Sequence, residues 1–150
     1  MIDIEGFLDA AEQKCESRGS RLTQKRKRVL STLAKANKAL SAYELIDSYY
    51  EECGEKMQAM SVYRILDFLE AEQLVHKLKL ANKYIPCSHI DCDHPQEIAQ
   101  FLICSECSIV TEIPAKNSLS DMLAAETANA EFQLQDTQIE LSGLCKNCRI

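Results

Sequence analysis

Two cysteine pairs constrain this chain more than any other feature: Cys104-Ser-Glu-Cys107, and Cys145-Lys-Asn-Cys148 near the end of the chain. A C-x-x-C turn presents two sulfurs side by side. Two such turns supply the four thiolates that a structural Zn²⁺ takes in tetrahedral geometry. The alternatives are two disulfides or four free thiols. The N-terminal MIDIEGFLDAAEQK lacks the basic and apolar segments of a secretory signal. No apolar run approaches the roughly 20 residues that span a bilayer. A cytoplasmic chain is therefore expected, and reduced cytoplasmic thiols favour metal over disulfides.

The net charge of −6 is unevenly placed. Residues 1–80 carry 13 Lys/Arg and 13 Asp/Glu, whereas residues 81–150 carry 4 and 10. Within the balanced half, Arg18 to Lys38 holds eight basic residues and no acidic one. A solvated helix face is the plain reading of such a run. A local positive field inside an acidic chain can also steer a phosphate backbone.

Apolar spacing predicts a helix over Ile4 to about Arg18, with Ile4, Phe7, Leu8, Ala11 and Cys15 on one stripe, ended by Gly19 and Ser20. Thr23 is a good N-cap for a second helix to about Lys35, with Val29, Leu30 and Leu33 inward. Ser41-Ala-Tyr-Glu44 has the form of a capping box and opens a third helix, ended by Gly54. Ser61 is expected to cap a fourth helix, Val62 to about Glu72, with Val62, Ile65, Leu66 and Leu69 inward and Tyr63, Arg64 and Asp67 off that stripe. Leu74–Leu78 and Lys83–Ile85 then read as a short hairpin. Cys15, on the apolar stripe of the first helix, is expected to be a core residue, and Cys53 is expected to be structural because it has no partner at metal spacing. Short helices followed by a hairpin give the order of a winged helix-turn-helix, in which the last helix enters the DNA major groove. An all-helical core unit with no DNA role has the same helix order.

The segments RLTQKR at 21–26, SAYEL at 41–45, SVYRILDFL at 61–69 and VHK at 75–77, followed by the two C-x-x-C pairs, resemble the Fur family of metal-dependent repressors. They are most similar to its zinc uptake regulator branch. One departure is Gln24, where the family usually has Pro after the Thr. The resemblance implies an α+β fold: an N-terminal winged helix-turn-helix over 1–85, then a small β-β-α-β dimerisation domain with a Cys₄ zinc site over 86–150, with a hinge around 84–98. It implies base or phosphate contacts from Tyr63 and Arg64. Arg can bind guanine in bidentate fashion, and Tyr can meet a thymine methyl or a phosphate. A half-buried packing role is the alternative for Tyr63. Arg21, Arg26 and Arg28 are candidate phosphate contacts, adding affinity and salt dependence with little sequence preference.

The resemblance also implies a regulatory zinc held by a wing His, a hinge Cys, a loop His and a Glu after the first C-x-x-C. His76, Cys87 and Glu112 match those positions. The loop is longer than the family's; His94 is the nearest ligand candidate, with His89 and Cys92 competing. A buried neutral His and a small buried thiol are the plain readings of His76 and Cys87. A site drawn from wing, hinge and second domain would exist only in one relative orientation of the two, so metal would lock a hinge. The expected complement is one structural and one regulatory zinc per chain, and the S/N/O donor set favours zinc over iron or manganese.

In the second half, Gln100–Ile103 and Ile109–Ile113 read as strands flanking the first knuckle. A helix runs from Asn117 or Ser118 to about Ala128, with Leu119, Met122 and Leu123 inward. Phe132 to Leu141 reads as a third strand. A core this small is commonly stapled by zinc. The resemblance implies a homodimer on a palindromic double-stranded operator. The leading reading is a zinc-responsive repressor of zinc-uptake genes, with neither a membrane nor a small-molecule substrate as partner. The alternatives are a same-family sensor of peroxide or another metal, a zinc-ribbon interaction module, and a zinc enzyme with Glu112 or Glu97 as general base. The chain has no H-E-x-x-H and no nucleophile motif, and no enzymatic activity is expected.

Overall fold

The computed structural model describes residues 3–88, 90, 98–114, 117–135 and 138–150. The chain forms two compact units, Met1–Cys92 and Asp93–Ile150.

The first unit opens with four helices: α1 Ile4–Ser17, α2 Gln24–Lys35, α3 Ala42–Cys53 and α4 Ala59–Ala71. Their ends follow from local chemistry. The Asp3 carboxylate accepts from the Gly6 N–H at the start of α1, and the Thr23 hydroxyl accepts from the Arg26 N–H at the start of α2. Ser41 and Glu44 form the reciprocal capping box of α3. Gly54, at φ +67°, closes α3 in the left-handed conformation that glycine adopts without steric cost. Leu30, Leu33, Leu45, Leu66 and Leu69 are all essentially inaccessible and pack into one core with Val29, Val62 and Tyr49. Each fully buried leucine contributes about 1.5–3 kcal/mol, so this core fixes how α2, α3 and α4 sit together. Cys15 is fully buried in it, as its place on the apolar stripe of α1 requires.

The hairpin follows as β1 Val75–Leu78 and β2 Lys83–Pro86, antiparallel, with His76 opposite Ile85. Leu40, between α2 and α3, adds a bridge to it: the Leu40 N–H donates to the Tyr84 carbonyl at 3.0 Å, and the Tyr84 N–H donates back at 2.7 Å. This short third strand ties the wing to the helices.

In the second unit, β3 Ala99–Cys104 is the centre of a three-stranded sheet in the order β4-β3-β5. Strand β4, Val110–Pro114, pairs with it antiparallel, and β5, Gln138–Gly143, pairs parallel after the crossover through α5, Asn117–Asn129. The alternation along β3 buries Phe101 and Ile103 and turns Leu102 outward, beside Leu141 in register.

Four expectations are corrected. Helix α4 starts at Ala59, two residues before the expected Ser61 cap, and the Gln58 side chain makes no capping bond. Phe132 and Leu134 lie outside β5 and are exposed, because the helix exit runs on as irregular chain. Cys53 ends α3 in an exposed position, so it has no packing role. Helix α5 forms where its spacing predicts, but no described residue on it is buried, and Met122 is 60% exposed.

Candidate metal centres and nucleic-acid interface

The two knuckles converge. Cys104 ends β3, and the Ser108 N–H donates back to its carbonyl at 3.0 Å, closing the first turn. The N–H groups of Cys148 and Arg149 donate to the Cys145 carbonyl at 3.0 Å, closing the second. The Ser105 N–H donates to the Gly143 carbonyl at 2.9 Å and brings the turns together. All four sulfurs of Cys104, Cys107, Cys145 and Cys148 lie within 4.8 Å of one another, and those of Cys107 and Cys145 are 3.8 Å apart. With Zn–S bonds of about 2.3 Å, a tetrahedral site has S–S edges of about 3.8 Å. The donor set and its spacing therefore fit zinc. No disulfide links the described cysteines.

The electrostatics of the cluster are those of a site prepared for thiolate. Backbone N–H groups of Cys107 and Cys145 donate to the Cys104 sulfur and bring its pKa from the ordinary 9.0 down to about 6. Cys145 is lowered as well, chiefly by the Asn147 N–H. Cys148 is pushed up to about 12 by the neighbouring sulfurs of Cys145, Cys107 and Cys104. At Cys107, the Ile109 N–H favours the thiolate, but the Cys104 side chain and burial outweigh it and the pKa rises. A divalent cation is what lets all four ionise together.

His76 and Cys87 form a smaller constellation in the first unit. His76 lies on β1, half-buried, and Cys87 follows β2, buried, with its N–H donating to the Leu74 carbonyl at 2.9 Å. Their ligand atoms lie within 4.8 Å of each other. The hairpin register makes this pair: the strands bring residues eleven apart in sequence to the same end. Glu112 lies in the second unit, on β4 opposite Phe101 and half-buried. His94, His89 and Cys92 lie outside the described residues.

Helix α4 turns Val62, Leu66 and Leu69 into the core and leaves Met60, Tyr63, Arg64 and Asp67 exposed. Tyr63 is 38% accessible. The basic stretch is more internally engaged than its charge count suggests. Arg18 pairs with Glu72 at 2.9 Å, Lys27 with Glu12 at 2.9 Å, Lys25 with Glu55 at 3.5 Å and Lys35 with Glu52 at 3.8 Å. Arg26 is half-buried, its guanidinium 3.7 Å over the Phe68 ring and its Nη1 donating to the Arg21 carbonyl at 2.9 Å. Arg21, Arg28 and Lys38 are exposed and make no ion pair with another described residue. Such exposed ion pairs contribute little to stability, but they leave Arg21, Arg28 and Lys38 as the cations of this stretch without an ion pair to another described residue.

Comparison with known proteins agrees with this construction. The sequence profile of the ferric uptake regulator family matches residues 17–142. The zinc uptake regulation protein of Escherichia coli K12 is 36% identical over 142 residues, covering 95% of this chain and 81% of that protein. The structure of a zinc uptake regulator complexed with zinc and DNA superposes with a TM-score of 0.87 at 32% identity, covering 98% of this chain and 95% of that one. Holo XcZur superposes with a TM-score of 0.80 at 37% identity, covering 95% and 96%. The profile match spans most of the sequence, and the chain belongs to the ferric uptake regulator family.

Proposed function

We propose that this chain is a zinc-responsive, DNA-binding transcriptional repressor of zinc-uptake genes, acting in the cytoplasm as a homodimer on a palindromic operator. The observation that carries this reading is the 36% identity, over 95% of the chain, to a zinc uptake regulation protein. The donor chemistry supports it independently: thiolate and imidazole donors suit zinc better than iron or manganese.

The four knuckle cysteines hold a permanent zinc that staples the small second unit. His76, Cys87, His94 and Glu112 hold a second, exchangeable zinc. His76 contributes an imidazole nitrogen and Cys87 a thiolate that lies within bonding reach of the same ion. By linkage, zinc at this site tightens operator binding by the same factor by which the operator tightens zinc. Tyr63 and Arg64 read bases, and Arg21 and Arg28 neutralise phosphates.

The homodimer is supported by what the second unit leaves uncovered. Leu102, Ile109, Leu141 and Leu144 are 39–52% exposed and line a cavity of about 480 Å³ on the sheet and second knuckle. Helix α5 buries no described residue. A second copy would cover both, which gives a two-fold protein for a two-fold operator.

Zinc content per chain of reduced protein, before and after mild chelation, tests the scheme. The expected result is loss of one equivalent while another stays. A single zinc that chelation never changes would remove the sensing role of His76, Cys87, His94 and Glu112.

A further inference from the structure

Met60 is 65% exposed although it is long and apolar. Because α4 begins at Ala59, Met60 belongs to that helix, three residues before Tyr63 and four before Arg64. At about 100° per residue, Met60, Tyr63, Arg64 and Asp67 fall within an arc of about 100°, directly opposite the stripe of Val62, Leu66 and Leu69 that enters the core. Met60 stands near the middle of that arc, one turn nearer the N-terminus than Arg64.

The N-terminal end of α4 is also the end prepared for a polyanion. Its first turn has no acidic residue, and Gln58 gives no side-chain cap to the backbone N–H groups there. Those donors suit a phosphate oxygen. The first carboxylate on the helix, Asp67, lies about 10 Å further along the axis. In helix-turn-helix proteins the N-terminal residues of the recognition helix are the ones that contact base edges, and Met60 is the second residue of α4.

Resting on the DNA-binding reading above, we infer that Met60 is a specificity-determining residue that recognises the 5-methyl group of a thymine in the major groove. The thymine methyl is the one apolar group that the major-groove edge of a base pair offers. A methionine is unbranched and polarisable, so it can reach such a group and adapt its rotamer to it. Arg64 and Tyr63 supply hydrogen bonds on the same face; Met60 adds selection for T·A over C·G at a position those two do not read.

The test is a selection from random-sequence duplex DNA with the zinc-loaded, full-length wild type, Met60→Ala and Met60→Leu. Alanine is the best helix former, and the position is exposed, so the fold is retained. Wild type and Met60→Leu should enrich one motif. Met60→Ala should enrich the same motif with one T·A position relaxed. Replacing that thymine by deoxyuridine in the selected duplex should weaken wild-type binding about fourfold, the worth of one buried methyl group, and leave Met60→Ala unchanged. Identical motifs for wild type and Met60→Ala would overturn the inference and leave the repressor reading intact, as would an equal loss on deoxyuridine substitution. No motif from any of the three proteins would overturn the DNA-binding reading and this inference with it.

Discussion

The guanidinium of Arg26 stacks 3.7 Å over the ring of Phe68 while its Nη1 holds the Arg21 carbonyl at 2.9 Å. One side chain thereby joins the start of α2 to the outer flank of α4. A cation–π contact of this kind is worth about 0.5–2 kcal/mol. A double-mutant cycle of Arg26→Ala and Phe68→Leu in urea unfolding should show a coupling of about 1 kcal/mol. Arg26→Lys should recover only part of it, because an ammonium has no plane to stack. Additive losses would mean that the stack contributes nothing, and would return Arg26 to the role of a simple phosphate contact.

Arg64 and Arg21 should differ in how they fail. Arg64→Ala removes the proposed base contact and should weaken operator binding by about 1–3 kcal/mol, with relaxed preference at one base pair. Arg21→Ala removes the proposed phosphate contact and should weaken all duplexes alike, lowering the salt slope by about one unit. Fluorescence anisotropy at several salt concentrations separates the two. Unchanged binding by Arg64→Ala would remove α4 as the recognition helix.

Zinc uptake by the metal-free knuckles should release protons at neutral pH. Cys104, with a pKa of about 6, is already mostly thiolate there, whereas Cys107 and Cys148 are raised and keep theirs. At least two protons per zinc, from Cys107 and Cys148, should therefore appear in weakly buffered solution at pH 7. Affinity should fall as the pH drops through 6, where Cys104 must also give up a proton. Cys145→Ser should lose this zinc and lower the melting temperature of the protein. Proton-free binding would contradict the assignment of these four residues as thiolate ligands.

Much of this arrangement was legible in the residues. Thr23 and the Ser41/Glu44 box mark their helices because a short oxygen-bearing side chain satisfies an orphan N–H wherever it stands at that position. The knuckles were legible because two C-x-x-C turns supply the four thiolates that a tetrahedral zinc takes. The start of α4 was not, since Gln58 carries no capping bond and Ser61, a better cap by type, lies inside the helix. The Leu40–Tyr84 bridge was invisible because a single backbone pair has no periodicity. The apolar spacing of α5 reports that a face is apolar and not whether this chain's own core covers it, and no described residue of α5 is buried. The engagement of Arg26 by Phe68 depends on two helices meeting, which no local pattern encodes.

The most direct test of the central claim is operator affinity as a function of buffered free zinc, with the knuckle zinc in place throughout. Wild type should go from weak to tight binding as free zinc rises. Cys87→Ser and His76→Ala should keep the knuckle zinc yet bind weakly at every zinc concentration. Equal, tight binding by wild type with and without the exchangeable zinc would contradict zinc control of this repressor.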